Sequence, residues 1–144
     1  MTKSIFQEGA ISPLQIAKAI EKHSTKLMIG AHDIFLGQVR SDQIDEKNVV
    51  AIEYSANPMF ADKVMQNIRE ETFEKYRITC MHVHHSLGRV SAGEICLFVF
   101  VSAAHRHTAF EATRYLVERI KKELPVWGKE LFMDESYQWK TNTL

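Results

Sequence analysis

The stretch Glu94-Ile95-Cys96-Leu97-Phe98-Val99-Phe100-Val101-Ser102-Ala103 decides the fold. It is rich in β-branched and aromatic residues and reads as a strand. Side chains alternate across a strand, so Ile95, Leu97, Val99 and Val101 fall on one face and Cys96, Phe98 and Phe100 on the other. Both faces are apolar, which predicts a central strand covered on both sides. The segment that follows, Ala104-His105-Arg106-His107, leads into a helix predicted from about Thr108 to Glu123, halted by Pro125. Its apolar stripe is Phe110, Thr113, Val117, Ile120 and Leu124.

Working outward, Arg77 to Ser86 is a second strand, joined to the first by a turn through Gly88 and Gly93. Before it, Asn57-Pro58 caps a helix with Ala61, Val64, Met65, Ile68, Thr72 and Tyr76 on its apolar face. Strands are predicted at Leu27 to Val39 and Val49 to Tyr54, with a loop over Ser41 to Asn48 between them. Ser12-Pro13-Leu14-Gln15 opens the first helix as a capping box, Gln15 reaching back to the cap. Trp127 to Phe132 and Tyr137 to Trp139 form a terminal hairpin. The order α-β-β-α-β-β-α-β-β predicts an α+β fold: a mostly antiparallel sheet with three helices, in a single domain over residues 1–144.

Composition narrows the function classes. Hydrophobic residues are 45% and charged residues 25%, with 18 Lys+Arg against 18 Asp+Glu. Zero net charge argues against a nucleic-acid partner. The apolar stretch Ile95–Ala104 is too short to span a membrane, and Met1–Ala10 lacks a leader pattern, so the expectation is a cytoplasmic protein with no membrane contact. Neutrality is nevertheless local. From His105 to Lys129 six Lys/Arg face three carboxylates, a +3 segment in a −3 remainder. Cys80 and Cys96 lie in apolar strands, where thiols behave as small hydrophobes.

His82 and His84 share one strand face and His85 the other; the first two offer a metal pair with no third ligand nearby in sequence, or are structural. The junction at His105-Arg106 puts cations where helix N–H groups and the helix dipole favour an anion. The alternative reading there is an ion pair from Arg106 to Glu111.

Taken together, these pieces resemble the large, catalytic subunit of molybdopterin synthase. The resemblance rests on Gly37-Gln38-Val39-Arg40, Ile52-Glu53-Tyr54, His85-Ser86-Leu87-Gly88 with Gly93-Glu94, and Ser102-Ala103-Ala104-His105-Arg106 running into Ala109-Phe110-Glu111-Ala112. It continues through Lys121, Pro125-Val126-Trp127, Lys129-Glu130 and Trp139-Lys140, covering about Met28 to Lys140.

The resemblance implies an α/β-hammerhead-like fold. It also implies a sulfurtransferase that converts cyclic pyranopterin monophosphate into molybdopterin. The sulfur would come from a small ubiquitin-like carrier ending in a Gly-Gly thiocarboxylate, and the assembly would be a homodimer within a heterotetramer. No metal or other cofactor is implied. Lys121 matches the catalytic lysine, its pKa expected to be lowered by Arg119, Lys122 and the substrate-site arginines. The implied substrate site comprises Gln38, Val39, Arg40, His105, Arg106, Lys121, Gly128, Lys129 and Glu130.

The chain departs from the pattern at one point. Where the family carries a second lysine directly after the tryptophan, this sequence has Gly128, and Lys129 follows. Lys129 is then the candidate for the second catalytic lysine, although on a regular strand it faces the opposite side unless Gly128 permits a bulge or kink. Arg106 and Lys121 also stand at opposite ends of one helix, which predicts a pocket shared between two subunits, His105 and Arg106 of one meeting Lys121 and Arg40 of the other. A non-catalytic dimeric binding module that kept the docking surface is the alternative to the enzyme.

Overall fold

Burial on both faces is what the sheet gives Ile95–Ala103. A computed structural model describes residues 3–140. In it this strand, β6, lies between β2 (Ala31–Gln38) and β5 (Ile78–Ser91), antiparallel to both. Leu97, Val99 and Val101 are fully buried against Ala61, Met65 and Ile68 of α2 (Pro58–Lys75) and Ala109, Ala112 and Leu116 of α3 (Arg106–Glu123). Phe98 and Phe100 are fully buried on the other face with Ile11 and with Ile16 of α1 (Pro13–Lys22). Each such side chain contributes about 1.5–3 kcal/mol through burial, so both helical layers are anchored on one strand.

Cys96 breaks the alternation. Gly37 pairs with Leu97 and Gln38 with Ile95, so Cys96 has no partner across β2 and forms a bulge. The bulge moves Cys96 from the expected phenylalanine face into the cluster of Leu97 and the α2–α3 residues.

The sheet order is β2-β6-β5-β4-β7-β8, with β4 at Lys47–Ser55, β7 at Trp127–Phe132 and β8 at Tyr137–Trp139. Two strands escape the sequence reading. β1 (Phe6–Glu8) runs parallel to β5, and β3 (Gln43–Ile44) forms a small hairpin with β4 inside the predicted loop. Asp45 and Glu46 have φ of 50° and 66°, the left-handed pair that a two-residue hairpin turn demands. β5 also runs five residues past its expected end, through Gly88 to Ser91. At Gly88 (φ 79°) it exchanges β6 and β1 for β4 as its neighbour.

Both predicted caps form. Ser12 Oγ accepts from Gln15 N at 3.1 Å, and Asn57 Oδ1 accepts from Phe60 N at 3.2 Å. Gln15 does not reach back to its cap; its amide pairs with that of Gln7 instead, at 2.7 and 3.1 Å. α3 begins at Arg106, two residues earlier than expected, and its N-cap His105 makes no capping side-chain hydrogen bond.

Candidate active site

The end of α3 places Ile120, Lys121 and Leu124 beside the start of β7 and the end of β8. These elements enclose a cleft of about 300 Å³, lined also by Tyr54, His85, Trp127, Gly128, Trp139 and Lys140. That volume sits at the lower end of small-molecule sites.

Tyr54 forms one wall because of its neighbours. It pairs with Gly88 on β5 and with Gly128 on β7, so no cross-strand side chain covers its ring. Its hydroxyl donates to Cys96 Sγ at 3.4 Å, and the Cys96 thiol donates to the Gly37 carbonyl at 3.4 Å. Burial pushes the Tyr54 hydroxyl pKa upward, with Cys96 and the Glu130 carboxylate adding to the shift. The ring meets His85 edge-on, centroids 5.2 Å apart. His85 Nδ1–H donates to the Ser86 carbonyl at 2.8 Å, leaving Nε2 as the acceptor nitrogen. Burial holds His85 neutral, its pKa lowered to about 4. The Ser86 carbonyl opposes that shift and the Lys121 ammonium reinforces it.

Lys121 lines the cleft with its side chain still open to solvent, and partial desolvation by the cleft walls is the main cause of its lowered pKa. The Cys96 thiol opposes the shift and the Lys140 ammonium adds to it. The expected causes, Arg119 and Lys122, are not the ones at work. Arg119 turns away to Glu71, Glu123 and Tyr115, whose hydroxyl it meets at 2.7 Å.

The other sequence-derived residues divide between this cleft and places away from it. Gly128 is in it, and an added Cβ there would meet Ile52 Cγ2 at 3.1 Å, Tyr54 Cε1 at 3.4 Å and Lys140 Cβ at 3.7 Å. The Lys140 N–H donates to the Gly128 carbonyl at 2.8 Å. β7 is regular through this point, Gly128, Lys129 and Glu130 facing Tyr54, Glu53 and Ile52 in turn, so Gly128 makes no bulge. Lys129 therefore lies outside the cleft lining, its ammonium over the rings of Tyr137 (4.4 Å) and Trp139 (5.3 Å). Glu130 is buried and accepts from Gln138 Nε2 at 3.3 Å.

Gln38, Val39 and Arg40 close β2 at the end where Gly37 touches Cys96. Val39 is buried, whereas Arg40 is 72% exposed and pairs with Asp42 at 3.3 Å. His105 and Arg106 are exposed at the far end of α3. Among the described residues, Glu111 pairs with His107 at 3.6 Å and Arg106 forms no ion pair. The expected Arg106–Glu111 alternative is therefore not realised.

Tyr54, His85 and Lys140 lie in the motifs that carry the resemblance but have no implied site role; the fold brings all three into the cleft. The glycine rungs that expose Tyr54 become visible only once strand pairing is known.

The family model described as MoaE protein matches residues 7–123. The chain belongs to the MoaE protein family. Among curated relatives, the molybdopterin synthase catalytic subunit of Emericella nidulans is 32% identical over 84% of this chain; the chain spans 62% of that relative's length. The molybdopterin synthase structure from Staphylococcus aureus matches with a TM-score of 0.84 at 27% identity over 99% of both chains. A Helicobacter pylori complex of subunits 1 and 2 of molybdopterin-converting factor shares the fold, with a TM-score of 0.81 at 18% identity over 95% of this chain and 89% of its own. Among the described residues of this MoaE-family chain, no helix is long and apolar enough to cross a membrane.

Proposed function

We propose that this chain is the catalytic subunit of molybdopterin synthase. It moves sulfur from the C-terminal thiocarboxylate of a small ubiquitin-like carrier onto cyclic pyranopterin monophosphate. The observation that carries this reading is the convergence of Lys121, Lys140 and His85 on one cleft. A lysine with a lowered pKa exchanges protons more readily near neutral pH than a solvated one. It serves proton transfer as the thiocarboxylate sulfur bonds to a pterin carbon while a C–O bond there breaks, and again as water cleaves the S–acyl bond, which frees the carrier as its C-terminal carboxylate and leaves the sulfur on the pterin. Its charged form stabilises oxyanion character at the same centre. Lys140 supplies a second cation on the side where Gly128 has no side chain.

The substrate phosphate needs further cations, and the His105–Arg106 helix start is suited to it. That start lies fifteen residues from Lys121 along one helix, about 22 Å at 1.5 Å per residue. A homodimer in which each cleft receives Arg106 and His105 from its partner, together with Arg40 and Lys121 of its own chain, reconciles the two. The likeness to a two-subunit complex supports a small protein partner. The decisive experiment is molybdopterin formation from carrier thiocarboxylate and pyranopterin. Lys121→Ala should lower the rate by about 10²–10⁴-fold with carrier binding retained, and wild-type activity in that variant overturns the assignment.

A further inference from the structure

On the opposite sheet face from Lys121, the structure brings together side chains that sequence spacing keeps apart. His23 closes α1, while Cys80 and His82 stand two apart on β5 and so share a face. Among the described residues these are the one group of three His, Cys or acidic side chains whose ligand atoms converge, all within 4.8 Å of one another. We infer that His23, Cys80 and His82 form a zinc site, the ion held by His23 Nε2, His82 Nε2 and Cys80 Sγ with water in the fourth position.

The geometry suits the ion. The two Nε2 atoms are 3.0 Å apart, close to the ~3.3 Å edge of a tetrahedron with Zn–N bonds of about 2.0–2.1 Å. His23 Nδ1 lies 2.7 Å from the Ala19 carbonyl, so Nδ1 carries the proton and Nε2 the lone pair. A ligating histidine normally has its second nitrogen held in this way. The His23 ring also stacks on the buried Phe100 at 4.7 Å, which fixes its plane. His32 borders the cluster edge-on at 6.1 Å, its Nδ1 occupied by Ser102 Oγ at 2.7 Å. His84, the partner that strand spacing suggests for His82, stacks on Phe98 instead and stays outside.

Without an ion, the Nε2–Nε2 contact requires His82 to carry its proton on Nε2 and donate it to His23. With zinc bound, that proton resides on His82 Nδ1, and the Cys80 thiol gives up its own to solvent. Binding therefore releases one proton, and the thiolate cancels one of the two metal charges. The ion would tie the end of α1 to the central sheet.

The test uses the full chain, stripped with a chelator and titrated with Zn²⁺ or Co²⁺ alone. Expected are one ion per chain and, with cobalt, a thiolate-to-metal charge-transfer band alongside tetrahedral absorption. Changes around a metal's ligands cost about 10–100-fold in affinity, so loss of a ligand in Cys80→Ser or His82→Gln should weaken Zn²⁺ by at least about 100-fold. Cys80→Ser should also abolish the band, whereas Cys96→Ser and His84→Gln keep it. The wild-type cobalt spectrum decides even where a variant fails to fold. No stoichiometric uptake at micromolar metal, or a spectrum without the thiolate band, overturns the proposal.

Discussion

Mixing two dead subunits should restore activity that neither has alone. α3 carries Arg106 at its first residue and Lys121 near its last, about 22 Å apart at 1.5 Å per residue, with the helix unbroken between them. A single pterin, the proposed substrate, cannot touch both along one helix, so the two residues share a site only across a two-fold interface. Take Lys121→Ala and Arg106→Ala, each inactive as a homodimer, and exchange subunits at equal concentration. Random pairing makes half the dimers mixed. In a mixed dimer one site carries both lesions and the other carries none. The preparation should therefore reach about a quarter of the wild-type rate in a molybdopterin-formation assay, with dimer composition verified by native mass spectrometry. A site contained within one chain leaves every site in the mixed dimer with one lesion. Mixed dimers no more active than the parents would refute the shared pocket.

Removing the Lys140 ammonium in Lys140→Met should raise the Lys121 pKa, since the two cations repel. The limb of the pH–rate profile that needs neutral Lys121 then moves to higher pH, and an unmoved or lowered limb counts against the pairing. His85 titrates at about 4 in the fold against 6.5 ordinarily, so the unfolded chain takes the proton more readily. Stability should fall as pH drops from about 6.5 towards 4, by at most about 3 kcal/mol from this group. Urea denaturation at pH 7 and 4.5 should show a smaller loss in His85→Asn than in wild type. Among the described residues, the buried Ser86 Oγ has no hydrogen-bond partner, so Ser86→Ala should leave the melting temperature unchanged or raise it. A destabilisation above about 1 kcal/mol would mean the hydroxyl is satisfied after all.

What the chain reveals before folding depends on how local the controlling physics is. The central strand, the Ser12 and Asn57 caps and the stop before Pro125 rest on alternation, capping chemistry and proline sterics within a few residues, and all appear where expected. β1 eluded that reading because three residues of parallel pairing carry no period of their own. The passage of β5 through Gly88 eluded it for a different reason: glycine punctuates a turn and a strand crossing between neighbours alike. In the candidate site, resemblance to a family gives Lys121 a role, whereas Tyr54, His85 and Lys140 lie in the resembling motifs without one and meet Lys121 only in the folded cleft. The same holds on the other face, where His23 meets His82 across 59 positions of sequence.

Gly128 and Lys140 are best understood as one feature. A lysine at position 128 would bring its stem against Ile52 and Tyr54, since even a Cβ there approaches Ile52 Cγ2 to 3.1 Å. The glycine leaves that volume to the cleft, and its carbonyl fixes the backbone of Lys140 at 2.8 Å. The second cation thus enters from β8's end instead of from β7. Lys129, one residue along, does not replace it, because regular pairing turns it towards Tyr137 and Trp139, where cation–π contacts hold it. This yields an asymmetric expectation for rescue. Adding a lysine at 128 to a Lys140→Ala chain should recover activity, because it returns an ammonium to the same wall. The same Gly128→Lys change in the wild type should lower activity, because it crowds two cations and Tyr54 into a cleft of about 300 Å³. A double variant no better than Lys140→Ala alone would separate the two positions and leave Lys140 without a role in the cleft's charge.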